Sequence, residues 1–337
     1  MNGKRWAALG IAVGLFFISV LVNTLSFFGT KEEKPSSLDQ LIEVGGYTFS
    51  EEVIEEGNDF EKIAVLSVDG TIQDAGEPSA FMSSSGYNHR EFLKKLDNAK
   101  EDNEVKGIII RVNSPGGGVV ESAEIHDKIK EIQEETKKPV YISMGSMAAS
   151  GGYYISAPAD KIYASPETIT GSLGVIMQGI NYEGLAEKYG VDFVTIKSGK
   201  HKDIMSPTRK MTEEEHQILQ SMIDNSYQGF VKVISDGRGI PTGKVKEIAD
   251  GRIYDGRQAK KLGLIDEFGH FEDVVEQMKK EKDMADAMVV SYSEDMGFGS
   301  FFSFGAQKLM GNEMQMTDMA KLLMQPNAPR PMYLYSE

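Results

Sequence analysis

The sequence predicts an α/β fold on a parallel sheet, with one apolar helix ahead of it and a helical portion behind it. Three observations carry that expectation. Twice, a short apolar run gives way to small residues and then to a helical pattern: Lys106-Gly-Ile-Ile-Ile-Arg-Val112 precedes Asn113-Ser-Pro-Gly-Gly-Gly118, and Val140 to Met144 precedes Ser150-Gly-Gly152. Continuous apolar runs of this kind mark strands buried on both faces, as in parallel sheets flanked by helices. From Thr212 the apolar spacing becomes helical, and Trp6 to Phe28 holds no charged residue at all.

Taken in order, the chain begins with Lys4 and Arg5 ahead of that uncharged stretch, which is long enough to span a bilayer. Basic residues on its amino side place the N-terminus in the cytoplasm and everything after Phe28 outside. The run ends in Leu-Ser-Phe-Phe without a small-residue cleavage site, so residues 1–29 read as an uncleaved anchor. Residues 30–60 are polar, acidic and weakly periodic, and read as a linker. Lys62 to Val68 predicts a strand ending at Asp69-Gly70, and Asn88 caps a helix to about Lys100. Lys106–Val112 and Val140–Met144 are the next strands, with a helix from Val119 to about Glu135 between them. Residues 145–149 are expected to form a tight turn of small side chains leading to Ser150 and a helix.

Lys161–Ala164 and Phe193–Ile196 read as short strands around a helix from Tyr182 to Tyr189. Thr212-Glu-Glu-Glu215 is a capping box for a long helix ended by Gly237 and Gly239. Shorter helices follow at Val245–Ala249, Gly256–Leu262 and Phe271–Lys279, with Gly263 as a C′ glycine, and Met288–Tyr292 adds a strand. Residues 61–292 thus form the main domain, and 293–337 a Phe/Met-rich segment with a mobile tail.

Composition excludes several chemistries. The formal net charge of −15 argues against nucleic acid as a partner. With no cysteine there is no disulfide or thiol nucleophile, and the five histidines show no metal-ligand spacing, so neither a metal nor a cofactor is expected. The chemistry is sought instead at Ser150, which a sheet's carboxyl edge and a following helix would hold beside backbone N–H groups. The Gly116–Gly118 turn leaves the same edge and can face it, the arrangement acyl transfer needs. No histidine lies between Ser150 and Lys200. Lys197, Lys200 and Lys202 lie in Lys197-Ser-Gly-Lys-His-Lys-Asp203, and a desolvated lysine can serve as base for a serine. Periodicity does not choose among the three.

Four motifs in this order and spacing resemble signal peptide peptidase A, a family of membrane-anchored Ser/Lys serine peptidases in the Clp-protease/crotonase superfamily. They are Asn113-Ser-Pro-Gly-Gly-Gly118, Ser146-Met-Ala-Ala-Ser150-Gly-Gly-Tyr-Tyr154, Thr170-Gly-Ser-Leu-Gly-Val175 and Lys197-Ser-Gly-Lys-His-Lys202-Asp. The resemblance runs from about Lys62 to about Asp283. It implies a Clp-protease/crotonase-like fold with a parallel sheet of repeated ββα units. It also implies Ser150 as nucleophile, Lys202 as general base, Ser172 orienting that lysine, and the N–H groups of Gly117 and Gly151 as oxyanion hole. The implied protein is a bacterial, single-pass enzyme of the cell membrane with its catalytic domain outside, cleaving signal peptides and other short peptides. Members assemble into rings or domes, so a homo-oligomer is expected. Two competing expectations are a crotonase-like acyl-CoA enzyme using the same oxyanion hole, and a non-catalytic regulator of a membrane protease.

Overall fold

A computed structural model describes residues 49–75, 87–293 and 331–335. The expected anchor (Trp6 to Phe28) and the Phe- and Met-rich stretches 297–305 and 309–324 lie outside these residues. Among the described residues, no helix is long and apolar enough to cross a membrane.

The core is a nine-stranded, largely parallel sheet. Strand β1 (Ser50–Glu55) is antiparallel to β10 (Ala287–Ser293), which runs parallel to β2 (Asn58–Asp69). Next, all parallel, come β3 (Val105–Ser114), β5 (Val140–Ala149), β6 (Lys161–Ala164) and the edge strand β9 (Glu267–Phe268). A side branch pairs β7 (Ile169–Gly171) parallel with the end of β5 and antiparallel with β8 (Ile253–Asp255).

Both faces of the central strands are buried, which explains their unbroken hydrophobicity. In β2, Ala64, Leu66 and Val68 pack with one core, and Ile63 and Val65 with the other. The first core also receives α1 (His89–Glu101), α2 (Val119–Thr136), α3 (Gly151–Ser156) and α5 (Glu213–Arg238) through Leu96, Ile129, Ile155 and Ile234. The opposite core is closed by α8 (Phe271–Glu281) through Val274, Val275 and Met278. Removing any fully buried isoleucine of this kind costs about 2–5 kcal/mol. The helices α4 (Glu183–Lys188), α6 (Thr242–Ile248) and α7 (Gly256–Lys261) complete the described elements.

Four expectations need correction. Ser50–Glu55 and Asn58–Phe60, read as linker, are strands, because β10 offers backbone N–H and C=O partners on both sides and such pairing does not need apolar side chains. Residues 145–149 are not a turn: β5 continues to Ala149, since β7 pairs with Met147–Ala149, and the chain reverses only at Ser150. Phe193–Ile196 is not a strand; among the described residues no strand pairs with it, and Val194 and Ile196 are 88% and 96% exposed. The tail is ordered at Met332–Leu334, which forms β11, antiparallel to β4 (Gly116–Gly118).

Candidate active site

Ser150 stands where β5 ends and α3 begins. Its φ of 53° and ψ of −114° lie where side-chain-bearing residues are rarely found. Such backbone persists only when its surroundings impose it, and it recurs at reactive serines on strand-to-helix turns. Here the Ser150 N–H donates to the Gly171 carbonyl at 2.8 Å, and the Ser150 carbonyl accepts the Tyr154 N–H at 2.9 Å. Gly152 fits because a Cβ there would press on the Ser114 carbonyl at 2.9 Å. The serine is 1% exposed, and its hydroxyl donates to no described group.

Two glycine amides converge beside it. Gly151 opens α3, so its N–H has no partner within the helix. Strand β4 crosses over it: a Cβ on Gly151 would lie 3.0 Å from the Gly117 nitrogen, and one on Gly116 would lie 2.6 Å from the Gly151 nitrogen. Only glycine permits that approach. Ser172 is brought in by strand register, since Ala149 faces Gly171 across the β5–β7 pair. It shares Ser150's positive φ, at 50°, and is buried as well. The sequence-predicted Ser150, Ser172, Gly117 and Gly151 are therefore neighbours in the fold.

Lys202 is not among them. It is exposed, and within the single chain no hydrogen bond joins it to Ser150 or Ser172. The structure does separate the three lysines that periodicity left open. Lys197 pairs with Asp203 at 2.5 Å and Lys200 pairs with Glu214, whereas Lys202 has no carboxylate partner among the described residues. None of the five histidines hydrogen-bonds to Ser150; His201, for one, lies 3.2 Å from Glu214.

Two features escaped the sequence reading. An aromatic recess beside β4 is walled by Tyr154 and Phe230, and Tyr333 of the tail fills it. The ring centroids are 4.8 Å and 4.6 Å from that of Tyr333, and the Tyr333 hydroxyl donates to the Ser226 carbonyl at 3.1 Å. The other feature is the Arg209 guanidinium, which grips both Asp203 and Glu215. Nothing in local spacing joins residues 154, 230 and 333, and a lone arginine carries no pattern. A further concavity of about 460 Å³, lined by Asp69, Arg111, Asn113, Ser143 and His270, holds none of the predicted site residues.

A buried serine at a strained strand end, with the closely packed Gly116–Gly117 and Gly151 backbones next to it and a largely parallel sheet beneath, fits a Clp-protease-like fold. Residues 86–170 match the Clp protease family, and residues 132–285 match peptidase family S49. A protein of Enterococcus faecium named as a signal peptide peptidase, SppA, is 43% identical over 344 aligned residues, covering 99% of both chains. Protease 4 of Haemophilus influenzae is 38% identical over 65% of this chain and 34% of its own. The chloroplastic serine protease SPPA of Arabidopsis thaliana is 33% identical over 62% of this chain and 31% of its own. The chain belongs to the signal peptide peptidase A family, peptidase family S49, and is a serine peptidase.

Proposed function

We propose that the chain is a membrane-anchored peptidase acting outside the cytoplasm on remnant signal peptides and other short peptides, with Ser150 as nucleophile. Lys202 of a second copy serves as its base. The observation that carries this reading is β11. An extended peptide, paired antiparallel with Gly116–Gly118 and carrying Tyr333 opposite Gly117, lies over the amides beside Ser150. Peptides are commonly received by such strand addition, with alternate side chains entering pockets. The recess between Tyr154 and Phe230 accounts for a preference for a large apolar or aromatic side chain at that register. The uncharged stretch Trp6 to Phe28 behind Lys4 and Arg5 supports the anchor and its orientation.

The chemistry runs in two halves. A neutral Lys202 amine takes the Ser150 proton as the oxygen attacks the peptide carbonyl. The Gly117 and Gly151 N–H groups bind the oxyanion, and Ser172 orients the lysine. The C–N bond then breaks and Lys202 gives its proton to the leaving amine; a water molecule attacks the ester while losing a proton to Lys202, which passes it to Ser150 Oγ as the ester C–O bond breaks. Free lysine amines are protonated at neutral pH, so activity rises toward alkaline pH.

The second copy is invoked because Lys202 is exposed here and Ser150 is not. The arm that leads to Lys202 also presents Ile180, Leu185, Tyr189, Val194 and Ile196 to solvent. Packing that apolar arm on a neighbour would dry the amine as well as bury the arm. The test is a mixing experiment with Ser150→Ala and Lys202→Ala chains. Each alone is inactive on a fluorogenic peptide, and co-assembly restores activity because some sites receive both wild-type groups. No recovery from co-assembled chains that remain folded rejects a site shared between copies.

A further inference from the structure

We propose that Arg209 is a positioning residue for Lys202: it binds the carboxylate that follows that lysine in the chain, together with Glu215, and thereby keeps them from pairing with the amine. This inference rests on the reading of Lys202 as the base. Arg209 commits all of its donors. Its Nε donates to Asp203 Oδ2 at 2.8 Å, and Nη2 to Asp203 Oδ1 at 2.7 Å and to the Asp203 carbonyl at 3.0 Å. Its Nη1 and Nη2 also reach the two oxygens of Glu215 at 2.8 and 2.6 Å, and Nη1 reaches the Lys210 carbonyl at 3.0 Å. The guanidinium thus ties the turn holding Lys202 to the first turn of α5.

The ion pairs on this turn and on the first turn of α5 leave none of their carboxylates to Lys202. On its own turn stand Lys197, Lys200, His201 and Asp203; α5 contributes Glu214 and Glu215. Asp203, the next residue in the chain, is held far below the usual carboxylate range, first by Arg209 and then by Lys197. Arg209 is also the leading reason that Glu215 is pushed down to about 2. Glu214 is taken by Lys200 and His201. A carboxylate released beside Lys202 would pair with the ammonium and hold its proton, which removes a general base. Lysine in place of Arg209 could not do the same work, because a single ammonium lacks the planar fork that spans two carboxylates.

The experiment measures kcat and KM of the full chain on a fluorogenic peptide across pH. Arg209→Gln is expected to move the rising limb of kcat/KM about one pH unit toward alkaline, the size of shift a nearby carboxylate produces. Activity then falls about tenfold at neutral pH and converges on wild type at high pH, with KM unchanged. Adding Asp203→Asn to Arg209→Gln is expected to move the limb back. A loss equal at every pH, or one that Asp203→Asn does not reverse, overturns the proposal. If Arg209→Gln does not fold, Arg209→Lys supplies the measurement: a smaller alkaline shift is expected, and an unmoved limb overturns the proposal. Lys202→Ala separates the two readings. Retained activity removes Lys202 as base, and this inference with it. An inactive Lys202→Ala beside an unmoved limb in the arginine variants removes only the role of Arg209.

Discussion

At Ser150 a single backbone angle does much of the work. With φ at 53°, the residue cannot continue β5, so its side chain leaves the sheet just where α3 begins. The small residues around it announce this turn, and the glycines at 116, 117 and 151 are legible for the same reason: nothing larger fits where two backbones nearly touch. The lysine was less legible. Three lysines within six residues carry equal local signal, and only the tertiary pairing of Lys197 with Asp203 and Lys200 with Glu214 sets Lys202 apart. Gly151→Ala tests the amide cradle, since the added methyl would press on the Gly117 nitrogen and the Ser122 hydroxyl. Losing one oxyanion donor lowers kcat by about 10²–10³-fold. The expected result is such a loss at nearly unchanged KM, with the melting temperature checked alongside.

Among the elements, strands and helices with buried stripes were readable from periodicity, and the edges were not. Strand β1 is exposed along its whole length, so no hydrophobic alternation betrays it; only pairing with β10 makes it a strand. The length of β5 likewise depends on β7, which sits some twenty residues on. The tail strand is the extreme case, with its partner β4 more than two hundred residues away. Because β11 lies on β4, it competes with any peptide that adds there. Ending the chain at Arg330 is expected to raise kcat/KM for an added peptide, mainly through a lower KM, and unchanged kinetics would count against competition.

Strand β6 and helix α8 are also joined by charge, through Lys161 and Glu281. Glu281 is pushed down to about 2, first by Lys161, then by hydrogen bonds from Tyr141 and Gln277. A carboxylate depressed on folding adds stability that is full above its unfolded value near 4.5 and is lost as pH falls toward 2. The melting temperature of the wild type should therefore drop through that window, and that of Glu281→Gln should drop less steeply.

The whole chain divides its surface by chemistry. From Gln178 to Lys200 nearly every residue is exposed, including the large apolar ones, and among the described residues no element covers them. Val194→Asp together with Ile196→Asp should therefore lower the sedimentation coefficient and peptide hydrolysis in parallel, while the far-ultraviolet circular dichroism stays as in wild type. A variant that still assembles and cleaves would show that the arm is not the contact. The sheet's outer margin has the opposite character. Among the described residues strand β1 pairs only with β10 and so forms an edge, and it carries Glu51, Glu52 and Glu55. Charged side chains along an edge disfavour its pairing with the edge of a second copy, even though Glu51 and Glu55 also pair with Lys62 and Lys279.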